Sequence, residues 1–160
     1  MSGEALAARL VAVCRARGVS LATAESCTGG MIAAAITAVP GSSAVLDRGF
    51  VTYSNAAKSE LLGVPAGLIV AVGAVSEAVA GKMAGGAKER AGVAIAVSVT
   101  GIAGPDGGSA EKPVGTVWFG LAGRDGEVIT RHEVFAGNRA AIRAAATEYA
   151  LTLLLGAAET

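Results

Sequence analysis

The sequence predicts a single three-layer α/β/α domain with a mixed, partly parallel sheet. Three observations carry that expectation. Val93 to Val99 is an unbroken apolar run rich in β-branched residues, the composition of a central strand covered on both faces. Ahead of it, helix-like and strand-like runs alternate along the chain. Behind it, Val114 to Leu121 and Glu127 to Phe135 read as two strands joined by a turn in which Arg124-Asp125-Gly126 is a hairpin signal. The 160 residues contain no internal repeat, linker or low-complexity tail, which fits one domain with a substantial core.

Taken in order, Glu4 to Arg17 places Leu6, Leu10, Val11, Val13 and Cys14 near helical spacing, and Gly18 stops the helix. Val19 to Glu25 is the first strand. Met31, Ile32, Ala35, Ile36 and Val39 form the buried face of a second helix that ends at Pro40-Gly41. Ser43 to Tyr53 reads as a strand with a kink at Gly49. Ser54 or Asn55 caps a short helix ending near Leu62-Gly63, and Pro65 opens a short apolar helical piece that Gly73 breaks. A further helix runs from Ser76-Glu77 to about Glu89 with Ala78, Val79, Met83 and Ala87 inward, and the chain closes with a helix from about Asn138 to Leu155.

Composition narrows the function classes. Thirteen basic and thirteen acidic residues leave no net charge and no cationic run, which disfavours a nucleic-acid surface. A small anion pocket remains open. Hydrophobic residues make up 52% and aromatics only 4%, so the core should consist of small side chains with helices packed closely on the sheet. Cys14 and Cys27 have no metal-like spacing and are expected to be reduced thiols in a cytoplasmic protein. His132 is the one histidine, leaving little material for a zinc site or a Ser-His-Asp triad. The N-terminus lacks a signal-peptide pattern, and the most apolar stretch, Leu61 to Val75, is broken by Pro65, Gly67 and Gly73 and is too short to span a bilayer.

Chemistry concentrates at three loops that follow predicted strands. In Ala24-Glu25-Ser26-Cys27-Thr28-Gly29-Gly30 a strand turns sharply into a helix, which lifts a side chain off the sheet edge beside the free N–H groups of the helix's first turn. Ser26 there could be a nucleophile with an oxyanion hole beside it, or Ser26 or Thr28 could be a helix cap. Tyr53 to Lys58 puts a lysine in the first turn of a helix, where the dipole disfavours a cation and partial burial lowers basicity, as a neutral general base needs. Tyr53 could hand protons between serine and lysine. The plainer alternative has Lys58 in solvent and Tyr53 closing a strand. Thr100 to Gly108 is glycine-dense without matching a P-loop or dinucleotide fingerprint, and suits backbone N–H groups approaching an anion or a planar ring. Glu25 and Asp106 could form a carboxylate pair, although a hydrogen-bonding role fits better, and Arg139 could reach a phosphate or carboxylate. Ligands of α/β sheets bind beyond the carboxyl ends of strands, so the three loops share one crevice if their strands are parallel neighbours.

These stretches, with Gly73-Ala74-Val75-Ser76, Lys112-Pro113-Val114-Gly115-Thr116 and Phe135-Ala136-Gly137-Asn138-Arg139, resemble the CinA C-terminal domain from about Leu6 to Leu155. The resemblance implies a nicotinamide mononucleotide deamidase that releases ammonia and leaves nicotinic acid mononucleotide. It implies Ser26 as nucleophile, Lys58 as general base and Tyr53 as a partner in proton transfer, with no metal or cofactor. Cys27, Thr28, Gly29, Gly30, Asn55, Thr100, Gly101, Gly104, Gly107 and Arg139 would bind the substrate, a small-molecule pyridine nucleotide. Many relatives carry a larger N-terminal nucleotide-binding domain, and this chain resembles the stand-alone form. Arg48, Ala56 and Asn138 depart from the family pattern, as does the apolar Ala66 to Val72, where a homo-oligomer contact around Gly67 to Val72 is expected.

Overall fold

A computed structural model describes residues 1–160. Six helices and five strands follow in the order α1 (Gly3–Arg17), β1 (Leu21–Glu25), α2 (Met31–Thr37), β2 (Leu46–Val51), α3 (Asn55–Leu62), α4 (Ala66–Val72), α5 (Glu77–Ala91), β3 (Ile95–Gly101), β4 (Thr116–Ala122), β5 (Val128–Val134) and α6 (Arg139–Glu159). The sheet order is β2-β1-β3-β4-β5. β1 pairs in parallel with both β2 and β3, and β3, β4 and β5 are antiparallel neighbours. The expected mixed three-layer fold is therefore the observed one.

Alternation along the strands sends side chains to two unlike layers. Leu21, Ile95, Val97, Val99, Val117 and Phe119 pack under α1, α2 and α6 in the larger core. The other face is floored by Ala22, Ala24, Ala96 and Ala122 under Val79, Met83, Ala84 and Ala87 of α5. Small side chains let α5 approach closely: a Cβ on Gly120 would stand 2.3 Å from the Ala80 carbonyl oxygen, so glycine is required there. The composition had pointed to such close layering, and it belongs to this one face.

Several boundaries differ from the sequence reading for identifiable reasons. Val19 donates its N–H to Cys14 O and so belongs to the end of α1, while the Ser20 hydroxyl accepts the Ala94 N–H. The expected strand from Ser43 begins only at Leu46, because Ser42–Ala44 wind into a single 3-10 turn. Gly49 makes no kink. It pairs in register with Thr23, where a Cβ would lie 2.7 Å from Thr23 Oγ1, and the irregularity falls between Leu21 and Ala22. α2 ends at Thr37, whose hydroxyl bonds back to the Ala33 and Ala34 carbonyls, and α6 continues to Glu159. α4 presents Val70 at 88% exposure, and no helix is long and apolar enough to cross a membrane.

Candidate active site

Parallel pairing of β1 with β2 and β3 brings three strand ends to one edge, and a crevice of about 290 Å³ opens there. Ser26, Cys27, Tyr53, Asn55, Lys58, Thr100, Gly101, Gly104, Gly107 and Arg139 all line it. Thr28, Gly29 and Gly30 stand behind Ser26 instead. Ala74, Val75, Ile102, Ala103 and Asp106 complete the wall. The Gly73 to Ser76 segment reaches the wall because Thr100 Oγ1 donates to Ala74 O and Ser76 Oγ donates to Gly73 O.

Lys58 is the unusual group. Ser54 caps α3 by accepting the Ala57 N–H, which places Lys58 in the fourth helical position on the inner face, 1% exposed. Its Nζ lies 3.0 Å from Ser26 Oγ and donates to Thr52 O at 2.8 Å and Tyr53 O at 3.4 Å. The chain's ion pairs are Arg9 with Glu159 and Arg48 with Asp47, so Lys58 has no carboxylate partner. Burial without compensation holds its ammonium below the ordinary value of 10.5, against a small opposing pull from Cys27. Nζ thus has three oxygens around it, the Thr52 and Tyr53 carbonyls and the Ser26 hydroxyl; in the neutral amine two N–H groups meet the carbonyls and the lone pair is left for the hydroxyl.

The turn that carries Ser26 is built around Glu25. Its fully buried carboxylate accepts Thr28 Oγ1 at 2.7 Å and the N–H groups of Gly30, Ile32 and Ala33 at 3.2, 2.9 and 3.0 Å. Glu25 is thus the cap of α2, a role the sequence reading had offered to Ser26 or Thr28. Its separation from Asp106 by function is clear, since Asp106 lines the crevice while Glu25 faces the helix. Gly29 N–H is spent on Ser26 O and Gly30 N–H on Glu25. The N–H groups of Cys27 and Thr28 donate to no other residue.

Arg143, which the sequence reading did not single out, clamps the turn from α6: its Nε donates to Cys27 O at 3.0 Å and Nη2 to Thr28 O at 3.4 Å. The signal was its place one helical turn beyond Arg139, on the same face. Arg139 donates from Nη1 to Gly104 O at 2.8 Å and from Nη2 to the Tyr53 hydroxyl at 3.1 Å. Tyr53 is 64% exposed, and its phenol makes its hydrogen bond with Arg139 and none with Ser26 or Lys58, whose link to Tyr53 is through the backbone. Burial pushes the Cys27 thiol up to about 11, against smaller pulls from its own N–H, Arg143 and Lys58, so the neighbour of Ser26 is a thiol at neutral pH and a poor nucleophile. No three His, Cys, Asp or Glu side chains are grouped so as to hold a metal ion.

Known proteins share this architecture. Residues 3–158 match the family described as the CinA C-terminal domain. A nicotinamide-nucleotide amidohydrolase PncC of Enterobacter agglomerans is 57% identical over 150 residues, 94% of this chain and 92% of that protein. The protein of the same name from Escherichia coli strain K12 is 57% identical over 140 residues, covering 88% and 85%. The crystal structure of the competence/damage inducible protein CihA from Agrobacterium tumefaciens superposes with a TM-score of 0.94 at 48% identity, covering 96% of this chain and 94% of that one. Carrying that domain over nearly its whole length, the chain belongs to the CinA C-terminal domain family.

Proposed function

We propose that the crevice hydrolyses the carboxamide of nicotinamide mononucleotide, giving nicotinic acid mononucleotide and ammonia, with Ser26 as nucleophile and Lys58 as general base. One observation carries the reading: a buried lysine without a counter-ion stands 3.0 Å from a serine at a strand-to-helix turn. The name of the relatives at 57% identity supplies the substrate class.

Neutral Lys58 accepts the Ser26 proton as Oγ adds to the amide carbon. The resulting oxyanion is held by the N–H of Cys27, the residue after the nucleophile and a crevice wall, with Thr28 N–H beside it. This narrows the oxyanion hole to two of the four residues of the turn. The Lys58 ammonium then protonates the leaving nitrogen, and ammonia departs from an acyl-Ser26. A water deprotonated by the same amine attacks the acyl carbon, Ser26 recovers its proton, and the carboxylate product leaves. Tyr53, held by Arg139, acts as a wall of the mouth and not as a proton relay. The N–H groups of Ala103, Gly104, Asp106 and Gly107, which donate to no acceptor in the chain, join Arg139 in receiving the anionic end of the nucleotide. The scheme uses no metal or cofactor.

The test is ammonia release from nicotinamide mononucleotide by the pure protein, run beside a binding titration. Turnover that falls ~10²- to 10⁴-fold in Lys58→Met, with binding retained, is the expected result. Binding without release by the unaltered protein would make the crevice a nucleotide-sensing module.

A further inference from the structure

We propose that Arg143 of α6 tunes the oxyanion hole: its guanidinium, fixed on the Cys27 carbonyl, polarises and orients the peptide whose N–H faces the negative charge that develops at Ser26. The inference rests on Ser26 as the nucleophile assigned above and adds a positioning residue to it.

The chemistry follows from which atoms share a peptide plane. Cys27 C=O and Thr28 N–H belong to one amide, so a donor on the oxygen draws electron density from the nitrogen and makes the N–H a stronger donor. Arg143 Nε donates to Cys27 O at 3.0 Å and Nη2 to Thr28 O at 3.4 Å. The preceding amide, Ser26 C=O with Cys27 N–H, takes its hydrogen bond from the neutral Gly29 N–H at 3.0 Å. Both N–H groups offered to the oxyanion are therefore backed from the carbonyl side, one of them by a full charge.

Arg143 is more than a tie between α6 and the turn. The chain's ion pairs are Arg9 with Glu159 and Arg48 with Asp47, so no carboxylate cancels the Arg143 charge. It is half-buried, where solvent screens a charge less than at the surface. A Cβ on Gly29, whose φ is +58°, would stand 3.3 Å from Nη2, so glycine leaves the guanidinium its place against the turn. The charge is felt there, because it pulls the Cys27 thiol downward against the effect of burial. Glu25 grips the same turn from the α2 side by accepting the N–H groups of Gly30, Ile32 and Ala33. A negative group thus holds N–H groups on one side and a positive group holds carbonyls on the other, with the N–H groups of Cys27 and Thr28 left between them.

Arg143→Met and Arg143→Lys test this in two assays, each run well below the Tm of the variant. In ammonia release from nicotinamide mononucleotide, Arg143→Met is expected to lower kcat by about tenfold or more with KM within about twofold. Arg143→Lys keeps the charge and one donor and should recover part of that loss. In labelling by a fluorophosphonate, Ser26 Oγ bonds to phosphorus, fluoride leaves with the electron pair of the P–F bond, and Lys58 takes the serine proton. The phosphoryl oxygen uses the same hole, so the labelling rate of Ser26, read by mass spectrometry, should fall by a similar factor in Arg143→Met. Arg17→Met is the control: it removes another arginine-to-carbonyl tie, from α1 to Ala158 O at the far end of α6, and should lower Tm with both rates unchanged. Rates within about twofold of the unaltered protein in Arg143→Met, a change confined to KM, an equal loss in Arg17→Met, or an Arg143→Lys no better than Arg143→Met would each overturn the proposal. Labelling that slows in Arg143→Met while the unaltered protein releases no ammonia would uphold the role of Arg143 and overturn the nucleotide reading instead.

Discussion

Lys58 concentrates the cost and the chemistry of the site in one side chain. A buried amine with two carbonyls and a hydroxyl around it is stable as a base and costly as an ammonium. Its lowered pKa gives two outcomes with the same sign. Activity should rise with pH as Lys58 loses its proton, along an ascending limb centred below 10.5 that Lys58→Met removes. Stability should also rise with pH. Below the lowered value the lysine is protonated in both folded and unfolded chains and the burial penalty is present in full. Between that value and about 10.5 unfolding takes up a proton, so the folded state gains as pH increases. Thermal denaturation at stepped pH should show that slope in the unaltered protein and a flatter one in Lys58→Met. Tyr53→Phe separates wall from relay: losing the Arg139 contact should raise KM while kcat stays within about twofold.

Elements bring these residues together through close packing and caps. Glu25 ends β1 and caps α2 at once, so Glu25→Ala leaves three buried or half-buried N–H groups without an acceptor and should destabilise the fold by about 3 kcal/mol, read as a fall in Tm. Gly120→Ala, which drives a methyl against the α5 backbone, should destabilise by roughly 1–3 kcal/mol while leaving the site's chemistry in place. The alternation of apolar runs was enough to place all five strands and the six helices, because strand and helix periods survive in the local sequence. Ser26 and Lys58 could be suspected for the same reason: each lies at a strand-to-helix junction. What local sequence does not carry is direction. The Tyr53 phenol turns to Arg139, Glu25 turns inward to the helix, and Arg143 reaches back to the turn from more than a hundred residues away. Gly49 looked like a kink because a glycine's reason for being in a strand, here the crowding of Thr23 and Ala33, is supplied by other segments.

At the scale of the molecule, the sheet divides the labour between its two ends of construction. The parallel half, β2-β1-β3, aligns three carboxyl ends and makes the crevice, while the antiparallel half ends in the open strand β5. The central claim remains the serine beside the uncompensated lysine. Its most direct test is the rate at which Ser26→Ala releases ammonia from nicotinamide mononucleotide at saturating substrate. A fall of at least about 10³-fold with binding retained is the predicted result, and a rate within tenfold of the unaltered protein would contradict it.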